Sequence, residues 1–279
     1  MNSIIKTTIA NEIKALAEKT SQNKVATKAG VSSATISQIL NNKWELIADE
    51  MWRKIQTNLN IVLGWNIAQT NNLTELCSLL EAVQSRHLAI GIAYNAGAGK
   101  SVAYKRHARE KSNVIYIECK NYWTKKSYVK HLCKACGLKS SITTEDMIED
   151  FQSHVSTLQS PLIIIDQFDK LKDGSMDLFM DLYNALEGHC GFVLSGVPAL
   201  EKRILRGVQH DKIGYRELYS RIGRKFIKLQ ELSLKDVAAI CEANGVTDKE
   251  DIKYIFKNSE GDIRRVRRDV ERNHILKTV

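Results

Sequence analysis

The segment Asn95-Ala96-Gly97-Ala98-Gly99-Lys100-Ser101 holds the residues best placed to do chemistry. Its two glycines let backbone N–H groups turn toward an anion, and a helix starting near Val102 adds the positive end of its dipole. Lys100 would reach the β- and γ-phosphates of a nucleotide, and the Ser101 hydroxyl would ligate Mg²⁺. Asn95 to Val102 is therefore the candidate nucleotide-binding segment. Tyr94 stands where the full phosphate-loop pattern has its first glycine, and it is read as closing the preceding strand in the core. Farther on, Leu162-Ile163-Ile164-Ile165 ends in Asp166. An apolar strand ending in this way sets Asp166 at the sheet edge beside the phosphate loop, where it would hold Mg²⁺ through water. Loop and acid together predict a domain that binds ATP.

These residues need a parallel sheet to position them. Apolar runs at Leu88–Tyr94, Val114–Glu118, Leu162–Asp166, Phe192–Ser195 and Phe226–Leu229 alternate with helical stretches. That order predicts an α/β fold with helices on both faces of the sheet. Ahead of it, Ile5, Ile9, Ile13 and Leu16 repeat at helical spacing, and short helices are expected over 21–29, 32–40 and 51–59. The polar stretch 66–72 reads as a linker. The expected division is 1–65, a small all-α domain; 73–232, the nucleotide-binding α/β domain; and 233–279, a helical lid.

Composition narrows the partners. Lys and Arg total 41 against 32 Asp and Glu, a net charge of +9 that favours a polyanion. No apolar run approaches a membrane span and the first residues lack a secretory h-region, so no membrane partner and a cytoplasmic location are expected. The six cysteines are scattered and do not resemble a disulfide framework. Cys133 and Cys136 form a C-x-x-C beside His131, but no second pair follows at zinc-site spacing, and two buried helical thiols are the reading taken.

Residues 22–40 have helix-turn-helix chemistry. Ala26 is small where two helices would cross, Gly30 can take the left-handed turn, and Ser32 would cap the second helix. Over roughly the first 65 residues the chain resembles the Cro/phage-repressor family. That resemblance implies Ser33, Ala34 and Gln38 facing the major groove, with Asn41, Asn42 and Lys43 near phosphates. Ser33 and Ala34 offer few bidentate base contacts, so binding to double-stranded DNA is expected to be largely sequence-independent. A helical bundle that binds protein is the alternative.

From about residue 73 onward the order of elements resembles the AAA+ ATPases. The resemblance implies that Ser195, ending the strand Gly191–Gly196, senses the γ-phosphate. Arg221 would be the arginine finger reaching a neighbouring subunit's nucleotide, with Arg216 and Arg224 as competitors. Gly261-Asp262-Ile263-Arg264-Arg265 resembles the second sensor motif and points to Arg264. The glutamate that the family places after its Mg²⁺-binding Asp is Gln167 here. An amide cannot take a proton from water, though it can orient it, which predicts ATP binding with slow hydrolysis.

The Cro-like head, the Asp-x-x-Asp-x-Leu form of the acidic motif and Ser-Gly-Val-Pro-x-Leu narrow the resemblance further. They resemble the target-DNA activators of transposition, the phage Mu B protein and its TnsC-like relatives. Such a resemblance implies homo-oligomers, helical filament or ring, on DNA and delivery of that DNA to a transposase. Lys120, Lys125 and Lys126, in the basic and aromatic stretch after the second strand, are the candidate nonspecific phosphate contacts. An ATP-switched transcription regulator and a helicase loader or replication initiator are the competing readings.

Overall fold

The computed structural model describes residues 1–278 except Asn60, Val62 and Ser141, with Lys277 and Thr278 described in backbone only. Those three residues and Val279 belong to the expected 1–65, 73–232 and 233–279 domains and lie outside the described residues. Along the chain run α1 (Ser3–Lys19), α2 (Gln22–Ala29), α3 (Ser33–Leu40), α4 (Asp49–Asn58) and α5 (Asn71–Arg86). Then come β1 (Ala89–Ala93), α6 (Lys100–Glu110), β2 (Val114–Glu118), α7 (Lys125–Cys136), α8 (Thr144–Ser156) and β3 (Leu162–Asp166). The rest is α9 (Asp173–Leu186), β4 (Gly191–Gly196), α10 (Pro198–Gln209), α11 (Tyr215–Arg221), β5 (Phe226–Ile227), α12 (Leu234–Ala243), α13 (Lys249–Ser259) and α14 (Ile263–Thr278).

The chain divides into two compact units, 1–65 with 125–154, and 66–124 with 155–279. In the first, the apolar spacing of α1 turns Ile9 and Ile13 onto Val25, Ala26, Ile36, Ile39, Trp52 and Ile55, all buried. Hydroxyl caps set the helix starts. Ser21 Oγ accepts from Lys24 N–H at 3.2 Å, and Ser32 Oγ from Thr35 N–H at 3.1 Å. Gly30 ends α2 in the left-handed region at φ 67°, and the Asn58 amide donates to Ala29 O at 2.8 Å. Trp44 meets Trp52 edge-on, with ring centroids 5.7 Å apart.

Two features of the expected division are corrected. Residues 125–154, expected inside the 73–232 domain, belong to the first unit, where Gly137 lies against Lys24 of α2. The stretch 66–72 is no free linker. Asn66 exchanges hydrogen bonds with Asn244 and donates to Ala243 O, and Asn71 N–H donates to Asp236 at 2.7 Å. Asn72 likewise donates to Gln230 O and accepts from Gln230 N–H, so the stretch belongs to the second unit.

The second unit is the expected α/β fold. Its sheet is wholly parallel in the order β2-β3-β4-β1-β5. Leu162–Asp166 is buried throughout, as a central parallel strand covered on both faces requires. Between β1 and β2 the chain crosses two strand positions. Such a switch opens a crevice at the C-terminal edge, where ligands of open α/β sheets bind. Helices α12 to α14, the segment expected as a lid, close the chain, and a Ser233–Asp236 capping box begins α12. No helix among the described residues is long and apolar enough to cross a membrane.

Candidate nucleotide site

The loop after β1 closes into α6 through two glycines. Gly97 has φ 79° and Gly99, the cap of α6, has φ 90°. Space as well as angle demands glycine at 97, since a Cβ there would lie 2.0 Å from Asp262 Oδ1. The lid thus touches the loop directly, and Ile263 N–H donates to Gly97 O at 3.0 Å. Asn95 and Ala96 are exposed, Ala98 is buried and Val102 faces outward. Tyr94 packs partly buried against the core under the sheet, as expected.

Lys100 is 8% exposed, and its ammonium donates to Tyr94 O at 2.7 Å and Asn95 O at 2.8 Å. Burial lowers its pKa, with Asp166 opposing and Arg264 adding to the effect. A buried ammonium held by two carbonyls of its own loop is poised for an anion, whose negative charge would restore what burial costs.

Ser101 Oγ donates to Asp166 Oδ2 at 2.5 Å. Asp166 is 1% exposed, and burial raises its pKa against the hydrogen bonds from Ser101 and Gln167 N–H. Tyr116 OH also donates to it, at 3.3 Å. This hydroxyl–carboxylate pair fits Mg²⁺, which takes oxygen ligands and completes its shell with phosphates and water. No group of three or more His, Cys, Asp or Glu stands ready for a metal among the described residues. Cys133 and Cys136 are free and buried, and burial pushes their thiols up to about 11 and about 12.

The remaining expected residues fall in different places. Ser195 is fully buried beside Asp166, and its hydroxyl accepts from Tyr104 OH at 2.9 Å. Gln167 stands in the left-handed region at φ 57°, with its amide donating to Glu118 Oε1 at 2.9 Å and its carbonyl oxygen accepting from Lys170. Arg264 is exposed in the first turn of α14, near enough for its charge to act on Lys100. Arg221 is engaged within its own chain: it pairs with Glu187 at 3.2 Å and Glu217 at 3.6 Å and lies over the Tyr183 ring. Arg216 pairs with Asp211 at 2.6 Å, and Arg224 is exposed.

Of the residues expected at DNA, Ser33 and Ala34 are exposed in the first turn of α3, Gln38 is half-buried and Lys43 is exposed. Asn41 turns its amide back to Ser37 O at 2.9 Å. Lys125 and Lys126 are exposed at the start of α7, whereas Lys120 pairs with Glu118 at 2.7 Å.

Sequence reasoning missed three members of the site. Glu118 is the last residue of β2 and pairs in register with Asp166, so the predicted strand 114–118 carried the signal in its final letter. Tyr104 follows Ser101 by one helical turn. Asp262 sits in the Gly-Asp-Ile-Arg motif itself, one residue from the motif's Arg-bearing helix.

Residues 90–204, less than half of the chain, match the family model described as an AAA domain. The match runs from β1 into α10 and includes the phosphate loop, Asp166 and Ser195. No curated protein matches the chain. The segment 90–204 is thus similar to AAA domains, and the parallel sheet and phosphate loop of the second unit are those of an α/β nucleotide-binding fold.

Proposed function

We propose that this protein is an ATP-dependent DNA-binding AAA+ protein that oligomerises on double-stranded DNA and directs a transposase to it. The observation that carries the reading is the Ser101–Asp166 contact, 2.5 Å long, at the mouth of the phosphate loop, in a chain that also holds the capped helix pair α2–α3. Gly97, Gly99 and the start of α6 present N–H groups to the phosphates, and Lys100 exchanges its loop carbonyls for phosphate oxygens. Ser101 and Asp166 would hold Mg²⁺, which would supply positive charge against the phosphates during transfer. Gln167 orients the attacking water without deprotonating it, so turnover is slow. Arg264 on the lid senses the nucleotide's terminal phosphate.

The DNA and transposase parts are supported by the helix-turn-helix chemistry of residues 22–40, the net charge of +9 and the motif order that resembles transposition activators. Subunits meet around the nucleotide, and Arg224, exposed where Arg221 is tied to α9, is the better-placed finger. Imaging on nonspecific duplex DNA with and without ATP tests the proposal. ATP-dependent filaments or rings that vanish in Lys100→Ala are expected. A footprint at one palindrome with no effect of ATP would make the protein a transcription regulator, and recruitment of a replicative helicase a loader.

A further inference from the structure

Gln167 removes a carboxylate from the position after Asp166, yet a carboxylate still faces that position from the neighbouring strand. Glu118 ends β2, directly opposite Asp166 in the parallel register. Its Oε1 accepts from the Gln167 amide at 2.9 Å and from Lys120 at 2.7 Å, and Lys105 lies 3.5 Å from Oε2. The two groups needed to handle a water molecule, an orienting amide and a proton acceptor, are thus both present, carried on adjacent strands.

We propose that Glu118 supplies the carboxylate for ATP hydrolysis that Gln167 lacks. The inference rests on the reading of this site as an ATPase. The water oxygen forms a bond to the γ-phosphorus while the bond from that phosphorus to the β–γ bridging oxygen breaks. The electron pair of the broken bond leaves with ADP, and the proton lost by water passes to the Glu118 carboxylate and then to solvent. Burial alone would raise the pKa of Glu118, but Lys120 and Lys105 outweigh it and hold the group below the usual carboxylate range. A carboxylate held so low is a weak base, which gives slow turnover a second source besides the amide.

Two measurements on the full chain with MgATP separate this proposal from the ATPase reading: affinity for a fluorescent ATP analogue and single-turnover cleavage of ATP. In Glu118→Gln, affinity should stay within about threefold of wild type while cleavage slows by on the order of 100-fold. Adding Gln167→Glu to that variant returns a carboxylate one strand away and should recover at least about tenfold of the loss. Cleavage by Glu118→Gln within about twofold of wild type, with ATP bound, overturns the proposal and leaves the ATPase reading standing. Wild-type protein that fails to bind ATP overturns both. If Glu118→Gln itself binds no ATP, Glu118→Asp decides. That variant keeps the charge for the lysines but draws it back from the water, so retained affinity with slowed cleavage supports the role and unchanged cleavage refutes it.

Discussion

The contact between lid and phosphate loop predicts a large penalty for Gly97→Ala. Alanine in the left-handed region costs about 1–2 kcal/mol. Its Cβ would also fall 2.0 Å from Asp262 Oδ1, so the carboxylate must turn away. That carboxylate accepts from Arg264 N–H at 2.8 Å, capping the start of α14, and a lost cap costs about 1 kcal/mol. If the loop shifts as well, the Ile263 N–H bond to Gly97 O weakens, for about 1 kcal/mol more. The sum is about 2–4 kcal/mol, or a fall in Tm of about 5–15 °C for a unit of this size. Thermal unfolding followed by circular dichroism, with hydrogen exchange of α14, reads both parts. A double-mutant cycle with Asp262→Ala isolates the collision, because the double variant lacks the carboxylate to be displaced. A coupling of about 1 kcal/mol or more is expected. Additive costs, or a Gly97→Ala variant with wild-type Tm, would refute the argument that the lid is seated on this glycine.

Asp166→Asn should raise the Tm of the nucleotide-free protein at neutral pH by a few degrees while abolishing Mg²⁺-dependent ATP binding. Folding raises the pKa of Asp166, so its contribution to stability is greatest below the unfolded value, near about 4, and is lost as pH rises through the folded one. The Tm gain in the Asn variant should therefore shrink toward acidic pH; a gain constant with pH counts against it. Asn72→Ala should cost about 1–3 kcal/mol in chemical denaturation, because the buried Asn72 both donates to Gln230 O and accepts from Gln230 N–H. Arg221→Ala should cost no more than about 1–2 kcal/mol, its partners being an exposed glutamate pair and the Tyr183 ring. Replacing Lys125 and Lys126 together by alanine should flatten the salt dependence of duplex binding by about two units of slope, measured by fluorescence anisotropy.

What could be read ahead of the structure was what the chain keeps local. The phosphate loop lies within eight consecutive residues, and β3 announces itself as an unbroken apolar run ending in Asp166. Ser32 caps its own helix, so the hydroxyl and the N–H it serves are three residues apart. Strand order is different in kind. Nothing in the spacing of Val114–Glu118 says that β2 lies next to β3, and without that adjacency Glu118 has no relation to Gln167. The engagement of Arg221 by Glu187 and Tyr183 depends in the same way on packing between α9 and α11. The placement of 125–154 with the head was hidden because its apolar residues repeat as those of any helix in an α/β domain would.

That placement also interleaves the two units along the chain. The first unit is complete only when residue 154 has been made, by which point β1 and β2 of the other unit already exist without the strand that joins β2 to the sheet. β3 then arrives immediately after α8. Vectorial synthesis therefore cannot finish one unit before beginning the other, and each waits on a segment supplied by its neighbour's stretch of chain. A cut at residue 65 is no clean excision either. It would leave α7 and α8 attached to the α/β half with Gly137 deprived of Lys24, so the head is removable on paper but not as a module.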